Sequence, residues 1–404
     1  MKSVIAGVSL FALVACGEQA NQGTANKMDY AAEAKRIAAE TIVVDTHIDV
    51  PYRLAKGWQD VSQHTDTGDF DYPRAVVGGL NAPFMSIYTP ADYDGTPKAK
   101  EHAEEMIALV ERMVSTAPDK FIIAKSTADV EAAFIAGKIA LPLGMENGSP
   151  ILGDLANLDY FYEKGIRYIT LAHAKANNIA DSSYDPERKW NGLSDFGKAA
   201  IKHMNELGIM VDVSHVSDDA FWQALETSAV PPIASHSSAR HFTPGFERNM
   251  SDDMIKALGE KGGVIMINYG SAFLTEAANS WNDNKATAYE KFLAESGQES
   301  SHETEEAFSA TYLTSNPYPY ADMSDVLNHI DHVVKIVGID GVGIGSDYDG
   351  VDDTLPTGLK DVSSYTPLVE GLLIRGYGEA EIKKILSENI LRVWRQVETY
   401  AASH

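Results

Sequence analysis

The stretch Ile209-Met210-Val211-Asp212-Val213-Ser214-His215 contains the pattern that decides the fold. Its apolar run, Ile209 to Val213, is too short for a typical helix and indicates a strand buried on both faces. The preceding stretch, Asp195 to Leu207, has apolar residues at intervals of three and four and indicates an amphipathic helix. The sequence therefore predicts a helix followed by a buried strand, with a histidine directly after the strand.

This unit recurs along the chain from Met28 onward. Eight apolar runs are candidate strands, namely Ile42 to Val44, Ala82 to Ile87, Ile139 to Leu143, Tyr168 to Leu171, Ile209 to Val213, Pro232 to Ala234, Val264 to Ile267 and Val342 to Ile344. Helical periodicity is seen between runs, as in His102 to Val114, Ala128 to Ala136 and Ser324 to Val337. The alternation predicts an α/β fold, a parallel (β/α)8 barrel of the TIM type. A doubly wound open sheet is the alternative, because periodicity alone does not close a sheet.

One interval between candidate strands is much longer than the others. Residues 271–320 are polar and acidic and end in Asn316-Pro317-Tyr318-Pro319-Tyr320. We predict an insertion after strand seven that is helical around Ala288 to Glu295. It is either a lid or subunit contact, or a solvated excursion.

The composition limits the classes of function. The 404 residues are 44% hydrophobic and include 58 acidic against 33 basic side chains, for a formal net charge of −25 at pH 7. A chain of this kind can bury a large core, but its negative field opposes binding to nucleic acid or anionic lipid. Small substrates and metal cations are the compatible partners.

The N-terminus predicts export and a lipid anchor. The apolar stretch Val4 to Ala15 follows Lys2 and is too short to span a bilayer. Leu13-Val14-Ala15-Cys16 resembles a bacterial lipoprotein box, in which the cysteine is acylated and becomes the first mature residue. Cys16 is also the only cysteine, so no intrachain disulfide can form. An ordinary signal peptide that contains a cysteine is the alternative.

These features predict three segments. We expect a lipoprotein signal peptide over residues 1–15, the lipidated cysteine with a flexible tether over 16–28, and the barrel domain over 29–404. Gly17 rather than Asp after the cysteine favours anchoring in the outer membrane, with the barrel facing the periplasm.

Ligand-type side chains lie near the carboxyl ends of six candidate strands, the end where barrel enzymes build active sites. The residues are His47 and Asp49, Glu146, His173, His215, His236, and Asp347. Partly buried carboxylates repel one another unless cations compensate them, so a metal site is the economical explanation. Five of these residues, His47, Asp49, Glu146, His215 and His236, are enough for two metal ions that share the glutamate. Two such ions would acidify a bridging water and polarise a carbonyl group.

As an ordered set, the motifs resemble the membrane dipeptidase (renal dipeptidase) family over roughly residues 36 to 396. They are His47-Ile-Asp-Val-Pro51, Gly144-Met-Glu-Asn-Gly148, Arg167 to Leu171 with His173, Val211 to Ser217, Ser235 to Ala239, Arg248-Asn249, Gly345-Ser-Asp-Tyr-Asp-Gly350 and Glu388 to Trp394. The resemblance implies a β/α barrel with a binuclear zinc centre that cleaves dipeptides, often with a D-residue at the C-terminal position. It also implies attack by a metal-bridging hydroxide and a homodimer.

The resemblance assigns roles to individual residues. It implies that His47 and Asp49 bind one zinc ion, that His215 and His236 bind the other, and that Glu146 bridges them. His173 would steady the carbonyl oxygen as that atom gains charge, Arg248 would bind the free carboxylate of the substrate, and Asp347 would carry the proton from the hydroxide to the leaving amine.

Other polar residues have simpler interpretations. We expect Asp349 to cap the turn before Gly350, and Asp45 and Asp212 to support neighbouring ligands. His329 and His332 lie three apart on a predicted helix, where we favour a partly exposed helix face over a further metal site.

The sequence departs from the family pattern where Asn147 replaces a glycine, which puts the pocket floor and the preferred substrate in doubt. Two alternatives to a dipeptidase remain open. One is another barrel amidohydrolase, such as an N-acyl-amino-acid deacylase or a lactonase. The other is a lipoprotein that binds a metal or solute without catalysis, which leaves Asp347 and Arg248 without a purpose.

Overall fold

The computed structural model describes Met1 and residues 29–404. The predicted signal peptide, Cys16 and the tether to residue 28 lie outside the described residues. In the part of the chain that is described, no helix has the length and apolar character needed to cross a membrane.

Eight parallel strands form the central sheet, which confirms the predicted TIM-type barrel. The described residues form ten strands, which are β1 (Val44–Ile48), β2 (Ala82–Tyr88), β3 (Phe121–Ile123), β4 (Ile139–Leu141), β5 (Leu143–Glu146), β6 (Ile166–Thr170), β7 (Met210–Asp212), β8 (Ile233–Ala234), β9 (Val264–Ile267) and β10 (Val342–Ile344). The barrel order is β1-β2-β5-β6-β7-β8-β9-β10, and β3 pairs with β4 outside it. A parallel bridge between Ile48 and Tyr348 brings the first strand to the last.

The third predicted strand, Ile139 to Leu143, is two strands in the structure. Ile139–Leu141 pairs with β3, and only the segment from Leu143 onward enters the barrel. Pro142 separates the two. Proline has no backbone N–H and cannot donate to a strand ladder, so the sheet pairing changes at this residue.

Within residues 29–404, sixteen α-helices surround the sheet or form the connections. They are α1 (Tyr30–Glu40), α2 (Val50–Lys56), α3 (Tyr72–Gly78), α4 (Pro97–Thr116), α5 (Thr127–Ile135), α6 (Ala156–Lys164), α7 (Asp195–Leu207), α8 (Asp218–Thr227), α9 (Asp252–Glu260), α10 (Ser271–Leu274), α11 (Glu276–Ser296), α12 (His302–Ser315), α13 (Met323–Val337), α14 (Tyr365–Ile374), α15 (Glu379–Lys383) and α16 (Asn389–Ala401). A π-helical turn, Lys384–Glu388, joins the last two. Side chains of Ser126, Ser194, Ser217 and Ser251 cap the starts of α5, α7, α8 and α9.

The insertion lies where we predicted it, after the seventh barrel strand, but it is more helical than predicted. Helices α10, α11 and α12 occupy most of residues 271–315. Ala278 is the buried residue of α11, so this helix is mostly solvated. Aromatic contacts join α11 to α12, with the ring centroids of Phe292 and Phe308 5.3 Å apart.

The amino-terminal part of the barrel interior is filled by side chains. Phe84 of β2 lies between Tyr168 of β6 and Trp394 of α16, with both ring centroids 5.4 Å away. All three rings are buried. A packed interior leaves the carboxyl ends of the strands as the place for a site.

Candidate metal centre

The predicted ligands converge at the carboxyl ends of the barrel strands. His47 lies on β1, Asp49 directly follows that strand, and Glu146 is the last residue of β5. His215 and His236 lie in the segments after β7 and β8. All five are buried. Ligand atoms lie within 4.8 Å of one another in three groups, which are His47 with Glu146 and His236, Glu146 and His215 with His173, and His47 and Asp49 with Asp347.

The carboxylate of Glu146 divides the surrounding histidines into two groups. Its Oε1 atom lies 3.2 Å from Nε2 of His215 and 3.3 Å from Nε2 of His236. Its Oε2 atom lies 3.4 Å from Nε2 of His47, which in turn is 3.3 Å from Oδ2 of Asp49. One carboxylate therefore faces a different set of ligands with each oxygen.

The hydrogen bonds around His47 determine which ring nitrogen carries the proton. Its Nδ1 lies 2.8 Å from the hydroxyl of Tyr168, and that hydroxyl donates to the carbonyl of Thr46 at 3.0 Å. The Tyr168 oxygen must therefore accept from Nδ1, so Nε2 is the nitrogen that faces the carboxylates and is available to a metal ion. Gly144 makes room for this arrangement, because a Cβ there would lie 2.0 Å from the Tyr168 ring.

A second relay orients His236. The hydroxyl of Ser235 donates to Oδ2 of Asp212 at 2.6 Å, because an ionised carboxylate only accepts. It therefore accepts from Nδ1 of His236 at 2.7 Å. The lone pair of Nε2 points at Glu146, so Asp212 supports a ligand as predicted, acting through Ser235.

These atoms fit divalent metal ions. Nε2 of His47 is buried and has no hydrogen-bond partner among the described residues. Burial tends to lower the pKa of His47, but Tyr168, Glu146 and Asp49 raise that pKa well above its usual value. Without a metal ion, the carboxylates therefore favour a positive charge on His47, and a bound cation would supply that charge instead. Burial lowers the pKa values of His215 and His236 far below normal, which keeps these rings in the neutral form that binds metals.

Asp347 lies beside the ligands. Its Oδ1 is 4.0 Å from Nε2 of His47, and its Oδ2 accepts a hydrogen bond of 2.7 Å from Asn268. Burial, together with Asp49 and Glu146 and opposed by His47, raises the pKa of Asp347 to about 7. A carboxyl group with such a pKa can both take up and release a proton near neutral pH.

The backbone at the site is held in an uncommon conformation. His215 and Asp347 have φ values of 68° and 66°, in the left-handed region that non-glycine residues seldom adopt. Asn147 also has a positive φ, of 76°, which explains how it replaces a glycine. Its side chain makes four hydrogen bonds with Thr89, Ser149 and Asn177.

His173 lies between the ligands and a cavity. Its Nε2 is 3.5 Å from Oε1 of Glu146, and its ring centroid is 4.2 Å from that of His215. Its side chain is 20% exposed, against 7% for His215, so His173 is the more accessible of the two. Burial lowers the pKa of His173, which favours the neutral imidazole.

Arg248 is buried close to the site. Its Nη1 donates to the hydroxyl of Ser237 at 2.7 Å and its Nη2 to the carbonyl of His236 at 2.8 Å. Its Nε has no partner, and no carboxylate within the described chain forms an ion pair with it. The buried charge therefore has capacity to bind an anion.

A cavity of about 540 Å³ opens at the carboxyl ends of the barrel strands, and Arg248 is not among its lining residues. Asp49, Glu146, His173, His215 and Asp347 form its polar floor, and its walls are mainly Tyr52, Tyr88, Tyr184, Phe273 and Val351. The sequence motifs identified the floor, but they did not single out Tyr52, Tyr88 and Tyr184 in the walls, nor Tyr168, Ser235 and Asn268 beneath the ligands. Tyr168 and Ser235 belong to motifs that we quoted, but neither had ligand chemistry to single it out.

Two minor predictions are wrong. Asp349 does not cap the turn at Gly350, because its Oδ1 accepts from the backbone of Asp69 at 2.7 Å and its backbone N–H donates to Oδ2 of Asp69 at 2.8 Å. His329 is not on an exposed helix face. It is fully buried, with Nδ1 bonded to the backbone of Ala239 and Nε2 to that of Leu274.

Asp45 has the supporting position that we expected. Its Oδ1 accepts hydrogen bonds from the backbone N–H groups of His47 and Ser346.

Comparison with known proteins agrees with this site. A profile of the membrane dipeptidase family (Peptidase family M19) matches residues 31–404. The probable dipeptidase PvdM from Pseudomonas aeruginosa is 28% identical, with a TM-score of 0.81 over 92% of this chain and 99% of that one.

Two further solved structures share the fold. Dipeptidase AC, a metallopeptidase of family M19, is 24% identical with a TM-score of 0.73, over 88% of this chain and 98% of that one. A metallopeptidase from Rhodobacter sphaeroides, solved with a phosphinate mimic of the dipeptide L-Ala-D-Ala, is also 24% identical, with a TM-score of 0.72 over 88% and 99%.

The fold and the clustered histidines and carboxylates define a barrel metallohydrolase. More particularly, the chain belongs to the membrane dipeptidase family, Peptidase family M19, and is a hydrolase of peptide bonds.

Proposed function

We propose that this protein is a zinc dipeptidase with two metal ions, which hydrolyses dipeptides including those with a C-terminal D-residue. The observation that carries the proposal is the division of the Glu146 carboxylate between two sets of ligands. His47 and Asp49 would hold one ion, and His215 and His236 the other. Nitrogen and carboxylate ligands of this kind suit zinc.

When bound, two such ions supply an acidified water as nucleophile and polarise the scissile carbonyl group. Asp347 would take the proton at its carboxylate and deliver it to the leaving amine, because its Oδ1 lies beside the ligands, 4.0 Å from Nε2 of His47. His173 would donate a hydrogen bond to the carbonyl oxygen as charge develops there. Arg248 would bind the terminal carboxylate of the substrate, using the donor capacity that the protein leaves unused.

Two observations support a dipeptide as substrate, with tolerance of a D-residue. The cavity of about 540 Å³ suits a small substrate. The metallopeptidase from Rhodobacter sphaeroides was solved with a mimic of L-Ala-D-Ala, and its fold is the same.

A panel of L-L and L-D dipeptides tests the proposal, with soluble protein that starts after Cys16, first loaded with zinc and then stripped by a chelator. We expect cleavage that is lost on stripping and restored by zinc. If the zinc-loaded protein cleaves N-acyl-amino acids in clear preference to every dipeptide, the substrate assignment is wrong and an acyl amidohydrolase takes its place. Zinc bound without turnover of either class would favour the binding lipoprotein.

We further propose that the protein is a lipoprotein anchored through Cys16 and facing the periplasm, with the outer membrane as its site. The support is the sequence Leu13-Val14-Ala15-Cys16 and the glycine that follows it. Globomycin, which blocks lipoprotein signal peptidase, should cause the unprocessed form to accumulate. Processing that is insensitive to globomycin, or that persists in Cys16→Ser, would contradict the anchor. The family resemblance also implies a homodimer, which sedimentation of the soluble protein would test.

A further inference from the structure

A second group of potential metal ligands lies outside the barrel centre. It consists of His241, Asp252 and His332, which we call the surface triad. One ligand atom from each of the three residues lies within 4.8 Å of the other two. Nε2 of His332 is 2.8 Å from Oδ1 of Asp252, and the rings of His241 and His332 are nearly parallel at a centroid distance of 4.3 Å. None of the three belongs to the barrel centre.

We propose that the surface triad binds one transition-metal ion, of the class of Zn²⁺, Cu²⁺ or Ni²⁺. Two imidazoles and one carboxylate are a donor set that these ions prefer. Tetrahedral bonds of about 2.0–2.2 Å to a single ion place two ligand atoms roughly 3.3–3.6 Å apart. The three ligand atoms lie within 4.8 Å of one another, so rotation of the exposed side chains would bring them onto one ion. Water would complete the coordination, because His241 and Asp252 are exposed.

The frame around the surface triad is rigid, although the triad itself is near the surface. Phe242 packs between His329 and His332, with ring centroids 4.3 Å and 5.5 Å away. His329 is buried and bonded at Nδ1 to the backbone N–H of Ala239, which ties the segment that carries His241 to α13. A preorganised arrangement reduces the entropy that binding would otherwise cost.

Charge also favours a cation at this position. Asp252 is the first residue of α9 and its neighbour is Asp253, with Ser251 as the cap. Two adjacent acidic side chains at the start of one helix attract a cation. The whole chain has a formal net charge of −25, so the general field attracts cations.

The location gives the site a mechanical role. His241 belongs to the connection between β8 and α9, which also carries His236 and Arg248, and Asp252 is the first residue of α9. His332 lies on α13, which follows the insertion. A bound ion would fasten this connection to α13 at a second point, beside the contact that His329 makes. We therefore expect metal binding there to raise the melting temperature.

The test is to measure the number of zinc ions bound per chain by elemental analysis, after dialysis against micromolar free zinc. We expect the unmodified protein to hold one equivalent more than His241→Ala and one more than His332→Ala. His241 is exposed, so its replacement should fold even if that of the less exposed His332 does not. The difference between proteins tests the surface triad whatever number of ions the barrel centre holds, so the two proposals can fail separately.

His203 offers a matched control. It is a surface histidine with carboxylates near both nitrogens, Asp159 at 2.9 Å from Nε2 and Glu206 at 3.2 Å from Nδ1. Those carboxylates contact different nitrogens of the ring, so they do not converge on one ion with it. His203→Ala should keep the full zinc content. Equal zinc content in His241→Ala and the unmodified protein would overturn the proposal, as would an equal loss in His203→Ala.

Discussion

Nδ1 of His47 donates a hydrogen bond to the hydroxyl oxygen of Tyr168 over 2.8 Å, and both groups are fully buried. This contact fixes the ring so that Nε2 is the nitrogen that faces Asp49 and Glu146. A phenol in the barrel interior thus orients the first proposed ligand for a metal ion.

Tyr168→Phe should weaken metal binding without removing a ligand. Loss of a group that orients a metal-binding histidine typically costs roughly 10- to 100-fold in metal affinity. Competition with a chromophoric chelator would measure it. Tyr269→Phe is the matched control, because the buried Tyr269 hydroxyl has no hydrogen-bond partner among the described residues. Equal affinities in the two variants would show that the His47 contact has no influence.

Glu146→Gln should lose metal as well as activity. A neutral amide has only one oxygen and no negative charge, so it cannot bind both proposed metal ions as the two carboxylate oxygens would. Elemental analysis of the purified variant gives the answer. Glu104→Gln changes a partly buried glutamate bonded to Tyr160 and should keep its metal. Full zinc occupancy in Glu146→Gln would remove the bridging assignment.

Asp347→Asn should keep its metal but turn over slowly. A lost acid–base group lowers the rate by roughly two to four orders of magnitude. Turnover should be measured at matched metal content and compared with that of Asp353→Asn. Asp353 also follows strand β10, but its side chain is 83% exposed. A rate close to that of the control would exclude Asp347 from proton transfer.

Arg248→Met should reduce the preference for a free carboxylate. A hydrogen bond to a charged group contributes about 1.5–3 kcal/mol, or roughly 10- to 100-fold in kcat/KM. The readout is the ratio of kcat/KM for a dipeptide to that for its C-terminal amide. Arg395→Met, an exposed position on α16, should leave the ratio unchanged. An unaltered ratio in Arg248→Met would mean that another group binds the carboxylate.

His329 should make stability depend on pH. Burial lowers its pKa to about 4, while the unfolded chain has a value near 6.5. As pH falls from about 6.5 to 4, the unfolded state binds a proton that the folded state does not, so the free energy of unfolding drops by up to about 3 kcal/mol. Above pH 6.5 this effect is absent. Unfolding of metal-free protein by urea, compared with His329→Gln, isolates it; parallel pH profiles would refute the assignment.

The sequence was sufficient to predict the barrel and the group of polar residues at the carboxyl ends of its strands. Periodicity marks strands that are buried on both faces, and α7 begins and ends at the residues predicted, Asp195 and Leu207. The break at Pro142 was missed because the apolar run continues through it. Helix α12 was missed because its apolar residues contact α11 rather than a core, which leaves little periodicity to detect.

The supporting residues were harder to predict than the ligands. A histidine or carboxylate after a strand suggests metal chemistry by itself, whereas Tyr168 and Ser235 acquire their roles only through partners on other strands. The exposed position expected for His329 was wrong for a similar reason. Its partners, Ala239 and Leu274, are distant in sequence, and spacing on one helix does not show what packs against that helix.

The seam of the barrel has a consequence for biogenesis. The backbone N–H of Asp347 donates to the carbonyl of His47 at 3.0 Å, so the first and last barrel strands meet beside the proposed ligands. The centre is therefore completed by residues nearly the whole chain apart. A nascent polypeptide that has not yet delivered residue 347 lacks one wall of the pocket and the proposed proton carrier. The proposed active site is therefore complete only when the barrel closes, and chains that end before residue 347 are expected to be inactive.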